Sequence, residues 1–390
     1  MDWSSFFAEQ LRSKEQQGGL RRRGGQFSTD DDWLDFGSND YLALRDSPAI
    51  YKAALKGDQL GSGASPVLTG HTEEHRQLEQ LLAQFSGFED ALVFSSGYSC
   101  NTGVIACLAG EGDLILSDQL NHASLIDGCR LSKAKSLIFP HRDHDFVRSF
   151  LQDSRDQYRR VMLLTESVFS MDGDFAPLQE LANLAQQYNC GLVVDEAHAM
   201  GVYGKQGSGL LEELGIHDAT LCKIGTLSKA AGGVGGYACG SKSLVEFLVN
   251  HCRSYIFSTA PAINVMRALH CSLLQIQSMS KQREKLRTHA RYLRKTLAEQ
   301  GWRCTVAANP QETTSGDSPI IPVIVGQSER AILLSQHLAD RKIYVPAIRP
   351  PTVPAGLSRL RISLSSRHRD EDLAALVQAL AECRSLLPTD

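Results

Sequence analysis

One lysine in this sequence lies where a flat ligand could reach its amine. Lys229 follows the hydroxyl residues Thr226 and Ser228, and four glycines occur between Gly232 and Gly236. Because glycine has no side chain, these neighbours leave space around the amine. A site partly shielded from water would favour the neutral, nucleophilic form of the amine. Such an amine can form a Schiff base with a carbonyl compound. Taken alone, the stretch is more typical of a glycine-rich surface turn, so the remaining residues must decide.

An acid and a flat side chain upstream suit the same chemistry. Asp195 ends an apolar run 34 residues before Lys229, and His122 lies in Asn-His-Ala-Ser. A pyridine ring bearing an aldehyde and a phosphate needs a carboxylate for its ring nitrogen, a lysine for its aldehyde, donors for its phosphate and a flat group for stacking. The residue types therefore predict a site for pyridoxal phosphate, with His122 as the candidate stacking group.

Residues suited to a phosphate follow the first apolar run of the same region. Ser96, Gly97 and Tyr98 lie between a predicted strand and a predicted helix, where free backbone N–H groups favour an anion. The hydroxyl of Thr226 can add a further hydrogen bond. Together these residues predict that the phosphate binds at the start of that helix.

Two other patterns suggest different chemistry. The run His71-Thr72-Glu73-Glu74-His75 fits the His-x-x-Glu-His pattern of a zinc hydrolase, but no third ligand is evident, so we expect no metal. The run Asp195-Glu196-Ala197-His198 has the letters of a helicase box. The phosphate loop of an NTPase is missing, because Gly204-Lys205 is followed by glutamine. A non-catalytic binding protein is the remaining alternative class.

The apolar pattern from residue 91 to about residue 240 predicts a mostly parallel sheet. Short apolar runs alternate there with helical stretches. In such a sheet, ligands bind beyond the carboxyl ends of the strands. The predicted strands are Ala91–Phe94, Leu114–Leu116, Ser136–Phe139, Val161–Leu164, Gly191–Val194 and Cys222–Ile224.

The organisation of the chain suggests three parts. Residues 1–44 form an N-terminal arm, in which 2–17 have the spacing of an amphipathic helix that docks on the body or on a partner subunit. Residues 45–275 form a large cofactor-binding domain. Residues 276–390 form a smaller α+β domain. Its predicted elements are a long helix over 276–300, strands at 318–325 and 357–364, and helices at 328–340 and 369–386.

Length and composition bound the class of protein. The chain of 390 residues suits two or three domains, and 42% hydrophobic with 22% charged residues is typical of globular proteins. A net charge of −4 gives no general attraction to nucleic acid or to a membrane surface. The ten cysteines contain no Cys-x-x-Cys pair, which favours a reducing compartment. No signal peptide or membrane-spanning run is evident, so we expect a cytoplasmic protein.

Six motifs occur in the order found in one enzyme family. They are Ser-Asn-Asp-Tyr-Leu at 38–42, Gly-Ser-Gly-Ala-Ser at 61–65, Asn-His-Ala-Ser at 121–124, Ser-Val-Phe-Ser-Met-Asp-Gly-Asp at 167–174, Asp-Glu-Ala-His at 195–198 and Thr-Leu-Ser-Lys at 226–229. With them the chain resembles the α-oxoamine synthases from about residue 20 to 365. These are pyridoxal-phosphate enzymes of fold type I. The resemblance implies an α/β fold with a mostly parallel central sheet flanked by helices and a smaller C-terminal α+β domain.

The resemblance also implies roles for individual residues. Lys229 carries the cofactor as a Schiff base, Asp195 pairs with the ring nitrogen and His122 stacks on the ring. His198 contacts the phenolic oxygen of the cofactor, with Ser170 nearby. Contacts to the cofactor phosphate are implied for Gly97, Tyr98, Thr226 and, from the neighbouring subunit, Thr259. The last contact implies a homodimer with shared sites.

The C-terminal part of the resemblance narrows the substrates. The segment 347–356, the run Arg359-Leu360-Arg361 and the run Leu20-Arg21-Arg22-Arg23 are similar to members that act on L-alanine and a pimeloyl thioester. The thioester is carried on coenzyme A or on acyl carrier protein. The implied reaction is a decarboxylating acyl transfer in biotin biosynthesis. A glycine C-acetyltransferase is the alternative within the family.

Substrate-binding residues are implied by the same similarity. Arg349 would bind the amino-acid carboxylate through a two-point contact. Arg21, Asn39 and Thr352 would lie near the substrates. Pro66 departs from the pattern of several members, in which arginine follows Gly-Ser-Gly-x-Ser. The acyl-carrier contacts of that loop therefore cannot be carried over from the family.

Overall fold

A computed structural model describes residues 2–16, 19–20, 33–57, 59–305 and 316–386. The strands are β1 (Leu34–Asp35), β2 (Asp90–Phe94), β3 (Leu114–Asp118), β4 (Lys135–Phe139), β5 (Val161–Glu166), β6 (Gly191–Asp195), β7 (Cys222–Thr226), β8 (Gly236–Gly240), β9 (Ile320–Gly326), β10 (Ile343–Tyr344), β11 (Ala347–Ile348) and β12 (Ser358–Ser363). The helices are α1 (Trp3–Gln16), α2 (Pro48–Ala54), α3 (Glu73–Ser86), α4 (Gly97–Leu108), α5 (Ala123–Leu131), α6 (His144–Ser154), α7 (Leu178–Gln187), α8 (Leu210–Leu214), α9 (Lys242–His251), α10 (Arg253–Ile256), α11 (Ile263–Ser278), α12 (Ser280–Glu299), α13 (Ser328–Ala339) and α14 (Asp370–Cys383).

Separate parts of the chain form two compact units. The large unit consists of residues 40–170 and 174–285, and the small unit of 1–39, 171–173 and 286–390. The division expected from the sequence, with an arm to residue 44 and a small domain from residue 276, stays a prediction.

The large unit contains a seven-stranded sheet in the order β2-β8-β7-β6-β5-β3-β4. Strand β8 runs antiparallel to both of its neighbours, and the other pairs are parallel. Helices α4 and α7 are among those that pack against the sheet. This architecture confirms the predicted α/β fold with a mostly parallel sheet.

The central strands are apolar because they are covered on both faces. Every residue of β3, β5 and β7 is buried. Ile115, Leu164, Val193 and Ile224 belong to one hydrophobic cluster with Val104 of α4. Continuous apolar runs of this kind are typical of parallel strands between helices. All six predicted strands of this sheet are confirmed, and their carboxyl ends meet at one edge of it.

Strand β8 was not predicted from the sequence. Its residues Gly-Tyr-Ala-Cys-Gly lack the β-branched pattern of the other strands and continue the glycine-rich stretch after Lys229. Gly236 is required there by close packing, because a Cβ at this position would lie 2.6 Å from the carbonyl oxygen of Ser96. The strand therefore depends on tertiary contacts that the local pattern does not show.

The single helix predicted over 276–300 is replaced by the end of α11 and by α12. The chain leaves the helical conformation at Met279, with φ −91° and ψ 36°. The guanidinium of Arg283 donates to the carbonyl oxygen of Ile276 at 2.5 Å. The Ile276 carbonyl also accepts the N–H of Met279 at 3.1 Å, so the guanidinium is a second donor to the carbonyl at the break.

The small unit contains a three-stranded antiparallel sheet, β11-β12-β9, and the two-stranded parallel pair β1-β10. Strands β9 and β12 and helices α13 and α14 confirm the elements predicted for the C-terminal part. Helix α1 confirms the helix predicted near the N-terminus. Its Trp3 is 75% exposed and its Phe7 55%, so the docking of this helix stays a prediction.

None of the helices in the described residues combines the length and apolar character needed to span a bilayer.

A largely buried histidine in the large unit bridges two carboxyl groups. His141 Nδ1 lies 2.8 Å from Asp118 Oδ1, and His141 Nε2 lies 2.9 Å from Asp174 Oδ2. Burial by itself disfavours the imidazolium, but the hydrogen bonds to Asp118 and Asp174 outweigh it and raise the pKa of His141 to about 9. The protonated form therefore dominates at neutral pH.

Replacing His141 with glutamine should lower stability in a pH-dependent way. Because the folded pKa lies above the ordinary value of 6.5, the stabilisation is fully present below pH 6.5 and is lost as pH rises through about 9. We expect native protein to exceed His141→Gln by about 2 kcal/mol in free energy of unfolding at about pH 6, and by much less at about pH 10. Urea unfolding across this range measures the difference. A difference that does not change with pH would contradict the charged bridge.

Candidate active site

A cavity of about 240 Å³ lies at the carboxyl ends of the parallel strands in the large unit. Glu166, Asp195 and Thr226 are the last residues of β5, β6 and β7 and all reach it. The full lining is Ser96, Gly97, Tyr98, Asn101, His122, Ser124, Glu166, Asp195, Ala197, His198, Gly225, Thr226, Ser228 and Lys229. A larger cavity, of about 780 Å³, lies at the amino ends of the same strands and includes none of the predicted site residues.

A chain of hydrogen bonds holds the amine of Lys229. Lys229 Nζ lies 2.7 Å from His198 Nε2, and His198 Nδ1 lies 2.6 Å from the hydroxyl of Tyr41. Tyr41 is fully buried, so its hydroxyl has a fixed position. Each imidazole nitrogen donates or accepts according to its protonation, so a proton on one side of the ring is coupled to the other side. The arrangement holds the amine at the cavity wall and connects it to a buried phenol.

Both oxygens of Asp195 accept hydrogen bonds from other elements. Oδ1 accepts from the backbone N–H of Ala197 at 2.8 Å, and Oδ2 accepts from Asn101 Nδ2 at 2.8 Å. The same Asn101 nitrogen donates to Ser124 Oγ at 2.8 Å, and this hydroxyl lies 2.7 Å from His122 Nδ1. These contacts fix the orientation of the Asp195 carboxyl group and link it to His122.

The N-terminus of α4 borders the cavity with small residues. Ser96 caps the helix by accepting the N–H of Ser99 at 3.0 Å. A Cβ on Gly97 would lie 3.2 Å from Thr226 Oγ1, so glycine keeps the helix start and this hydroxyl close together. Thr226 Oγ1 lies 2.8 Å from Ser228 Oγ. This corner of the cavity is suited to an anion, because the free N–H groups of the first helical turn and the helix dipole both favour negative charge there. The hydroxyls of Thr226 and Ser228 can add hydrogen bonds.

Tyr98 can serve this corner through its backbone. Its hydroxyl donates to a carboxyl oxygen of Asp127, and its side chain is 48% exposed. Because the hydroxyl is already engaged, a contact from Tyr98 to an anion at the helix would come from the backbone N–H.

Two of the residues predicted to contact the cofactor, Ser170 and Thr259, are outside the lining of this cavity. Ser170 is half-buried, four residues beyond the end of β5. Thr259 is exposed between α10 and α11, and the next residue, Ala260, donates its N–H to the carbonyl of Ala64 at 3.0 Å. The motif at 61–65 therefore anchors the segment that presents Thr259.

The remaining predicted residues belong to the small unit or lie outside the described residues. Asn39 Oδ1 accepts from the guanidinium of Arg361 at 3.0 Å. Arg349 directly follows β11, and its carbonyl accepts the N–H of Thr352 at 3.0 Å. Arg21 is outside the described residues. The substrate roles of these four predicted residues stay predictions.

The helicase-like acids have a structural explanation. Glu196 and Lys223 are fully buried and form an ion pair, with 3.3 Å between Oε2 and Nζ. Glu196 Oε1 also accepts the N–H of Leu210 at 2.7 Å, and Lys223 Nζ donates to the carbonyl of Ser208 at 2.6 Å. Glu196 therefore anchors the loop that leads into α8.

The histidines of the zinc-like pattern also contact protein groups. His71 Nε2 lies 2.7 Å from Glu79 Oε2, and His75 Nε2 lies 2.8 Å from the carbonyl of Pro261. His75 Nδ1 accepts the N–H of Thr72 at 3.2 Å, which caps α3. Among the described residues, no cluster of three or more histidine, cysteine, aspartate or glutamate side chains could hold a metal ion. Protein contacts thus account for both histidines.

Sequence reasoning missed four residues that shape the site: Tyr41, Asn101, Ser124 and Glu166. Ser124 and Tyr41 belong to quoted motifs, and Glu166 is the second residue after the predicted strand Val161–Leu164, so each had a local signal. Asn101 follows Gly97 by four residues, which places both on one face of α4. That spacing could have identified it once a helix was assigned there.

Comparisons with known proteins identify the family of this chain. The family model described as aminotransferase class I and II matches residues 31–380. A protein named 8-amino-7-oxononanoate synthase from Symbiobacterium thermophilum is 40% identical over 352 residues, which cover 90% of this chain and 88% of that protein. Sphingomonas wittichii serine palmitoyltransferase matches in structure with a TM-score of 0.91 at 30% identity, over 100% of both chains. A high-resolution structure of SPT with a PLP internal aldimine matches with a TM-score of 0.89 at 29% identity, over 99% of each chain. The chain therefore belongs to the class I and II aminotransferase family.

Proposed function

We propose that the protein is an 8-amino-7-oxononanoate synthase, which uses pyridoxal phosphate to condense L-alanine with a pimeloyl thioester. The reaction joins the α-carbon of alanine to the thioester carbonyl carbon, breaks the C–S bond to free the thiol and releases the alanine carboxyl group as carbon dioxide. Relatives of that name, 39% to 41% identical, support the reaction. A glycine C-acetyltransferase is not favoured by these relatives. The structural observation that carries the proposal is one cavity that contains Lys229, Asp195 and the start of α4.

The cavity lining fits pyridoxal phosphate. Asp195 suits the ring nitrogen, Lys229 the aldehyde, and the start of α4 with Thr226 the phosphate. Two buried oxygens in the lining, Asn101 Oδ1 and Glu166 Oε1, have no hydrogen-bond partner among the described residues. Buried polar atoms in folded proteins normally have a partner, so a polar molecule in this cavity would satisfy them.

Lys229 is the residue that would move the substrate proton. Pyridoxal phosphate, when bound, supplies an aldehyde that links to amines and a ring that withdraws electrons from the α-carbon of an amino acid. Lys229 Nζ would hold the aldehyde and, once released, accept the α-proton of alanine. Its 2.7 Å contact with His198 positions the amine and gives the proton a neighbouring acceptor.

Asn101 would act on the ring nitrogen through Asp195. Replacing Asn101 with alanine removes the 2.8 Å hydrogen bond to Asp195 Oδ2 and the link to Ser124. We expect the affinity for pyridoxal phosphate to fall about tenfold, because a freed carboxyl group loses the fixed orientation that favours the ring nitrogen. Absorbance titration of apoprotein measures the dissociation constant. Unchanged affinity would show that Asn101 does not position Asp195.

The substrate-binding proposals come from the small unit and the N-terminal region. Arg349 suits the carboxylate of alanine because a guanidinium makes two parallel hydrogen bonds. Asn39, whose Oδ1 accepts from Arg361, is likewise proposed as a substrate-binding residue. Arg21 and Thr352 are proposed to lie near the substrates, as the resemblance implies.

A homodimer and a cytoplasmic location complete the proposal. The homodimer is supported by the exposed position of Thr259, which the resemblance assigns to the phosphate of the neighbouring subunit. Mixing Lys229→Ala with Thr259→Ala subunits tests this, since each mixed dimer would regain one native site. Activity above that of either variant alone is expected, and no gain on mixing would contradict a shared site.

The first test of the function uses purified protein reconstituted with pyridoxal phosphate. L-alanine, glycine and L-serine are added separately, with and without pimeloyl-coenzyme A, while the absorbance of the cofactor, free thiol and carbon dioxide are recorded. We expect the strongest response with alanine and thiol release that requires both substrates. A response mainly to glycine would move the protein to the alternative activity.

A further inference from the structure

A buried carboxyl group in the cavity has no role in the chemistry derived above. Glu166 lines the cavity at the end of β5 and is 2% exposed. Its backbone is engaged, since its N–H donates to Asn121 Oδ1 at 3.1 Å and its carbonyl accepts the hydroxyl of Thr165 at 3.0 Å. Its side-chain atom Oε1 is buried without a partner among the described residues. This oxygen is a free hydrogen-bonding group at a ligand cavity.

The surroundings of Glu166 disfavour a carboxylate. Glu166 is directly opposite Asp195 in the parallel register of β5 and β6, so the two side chains extend from the same face of adjacent strands, about 5 Å apart at the backbone. Asp195 and Asp118 oppose a negative charge on Glu166, whereas Lys229 and a backbone contact with His122 favour one. Burial, followed by the charge of Asp195, raises the pKa of Glu166 well above its usual range.

We propose that Glu166 is a further binding residue of this active site, whose carboxylic acid group donates a hydrogen bond to the molecule held in the cavity. A neutral acid both donates and accepts, so it can bind a polar atom without adding a second negative charge beside Asp195. Asp195 then remains the anion that faces the ring nitrogen. The inference rests on the proposed function, because it requires pyridoxal phosphate, with or without an amino acid, in this cavity.

The carboxyl group of Glu166 should destabilise the protein without ligand, and a bound ligand would offset this effect. A buried carboxyl oxygen without a partner destabilises a fold, whereas Leu163 and Leu164 on the same strand bury side chains that need no hydrogen bond. Leucine at position 166 should therefore stabilise apoprotein while weakening ligand binding. These opposite effects distinguish a binding residue from a residue that only supports the fold.

Three variants test the inference. Glu166→Gln keeps the shape and an N–H donor but cannot ionise, and Glu166→Leu removes all hydrogen bonding. Glu79→Gln is the matched control, because Glu79 is also a buried carboxyl residue, bonds to His71 and is not in the cavity lining. For each protein, absorbance titration gives the dissociation constant of pyridoxal phosphate, and thermal melting of apoprotein gives stability.

The dissociation constant of pyridoxal phosphate should stay within about threefold of the native value in Glu166→Gln and should rise about tenfold in Glu166→Leu. The melting temperature of Glu166→Leu apoprotein should be no lower than that of native apoprotein. Glu79→Gln should bind like native protein. Infrared difference spectra should show a protonated-carboxyl band that moves on cofactor binding and is absent from Glu166→Gln. Equal losses in the Gln and Leu variants, native affinity in Glu166→Leu, or absence of that band would overturn the inference. If native protein binds the cofactor but shows no alanine-dependent thiol release, the proposed function fails. The comparison of cofactor affinity between native protein and the Glu166 variants would still test the role of Glu166.

Discussion

Lys229→Ala should lower turnover of L-alanine with pimeloyl-coenzyme A by at least about a thousandfold while leaving the protein folded. The variant loses both the amine that links to the aldehyde and the base that accepts the α-proton, and a positioned base alone contributes roughly 10²–10⁴-fold. Folding should persist because Lys229 is half-buried at the cavity wall rather than packed in the core. Thiol release and carbon dioxide formation measure turnover, and circular dichroism measures folding.

Two controls separate the covalent role of Lys229 from its charge. Lys229→Arg keeps a cation near His198 but cannot form a Schiff base, so it should be as inactive as the alanine variant. Lys242→Ala removes an exposed lysine at the start of α9 and should retain native activity. Borohydride reduction should attach the cofactor to Lys229 in native protein and to neither Lys229 variant. Appreciable turnover by Lys229→Arg would remove this lysine from its proposed role.

Asp195→Asn should lower turnover by about a hundredfold or more, with a smaller loss of cofactor affinity. The ring nitrogen loses its anionic partner, so the α-carbon of alanine is less acidic. The substitution should also lower stability, because both Asp195 oxygens accept from N–H donors, on Ala197 and Asn101. An asparagine must turn its NH₂ group toward one of these donors and so loses that hydrogen bond. Exchange of the α-hydrogen of alanine with deuterated solvent, followed by NMR, measures the affected step.

A double variant provides the matched control. In Asp195→Asn with Asn101→Asp, the hydrogen bond between the two positions is restored in the opposite direction, but the carboxyl group moves to α4. Stability should recover relative to Asp195→Asn, whereas exchange should stay slow. Native exchange rates in the double variant would show that the position of the charge is unimportant, contrary to the proposed role of Asp195.

The sequence determined the parallel part of the sheet and most of the polar residues at its edge. Strands β2, β3, β5, β6 and β7 are largely buried, so they were visible as continuous apolar runs. The exposed edge strand β4 was visible from its apolar residues at 137–139. Residues that come soon after such a run lie near a carboxyl end of the sheet, and Asp195 and Lys229 both line the cavity there. The same cavity is lined by four more residues that were predicted to lie near one ligand: His122, His198, Gly97 and Thr226.

Only the tertiary structure decided how these side chains are held. The hydrogen bonds from Tyr41 to His198 and from Asn101 to Asp195 join residues 157 and 94 positions apart, and no local periodicity encodes such pairs. Strand β8 forms because its glycines fit against neighbouring backbone, not because its residues favour a strand. Glu166 shows the same limit, because a glutamate at a strand end is an ordinary polar residue in the sequence. Its burial, its unpartnered oxygen and its position opposite Asp195 arise from the packing of elements that are distant in the chain, and these give it a chemical role.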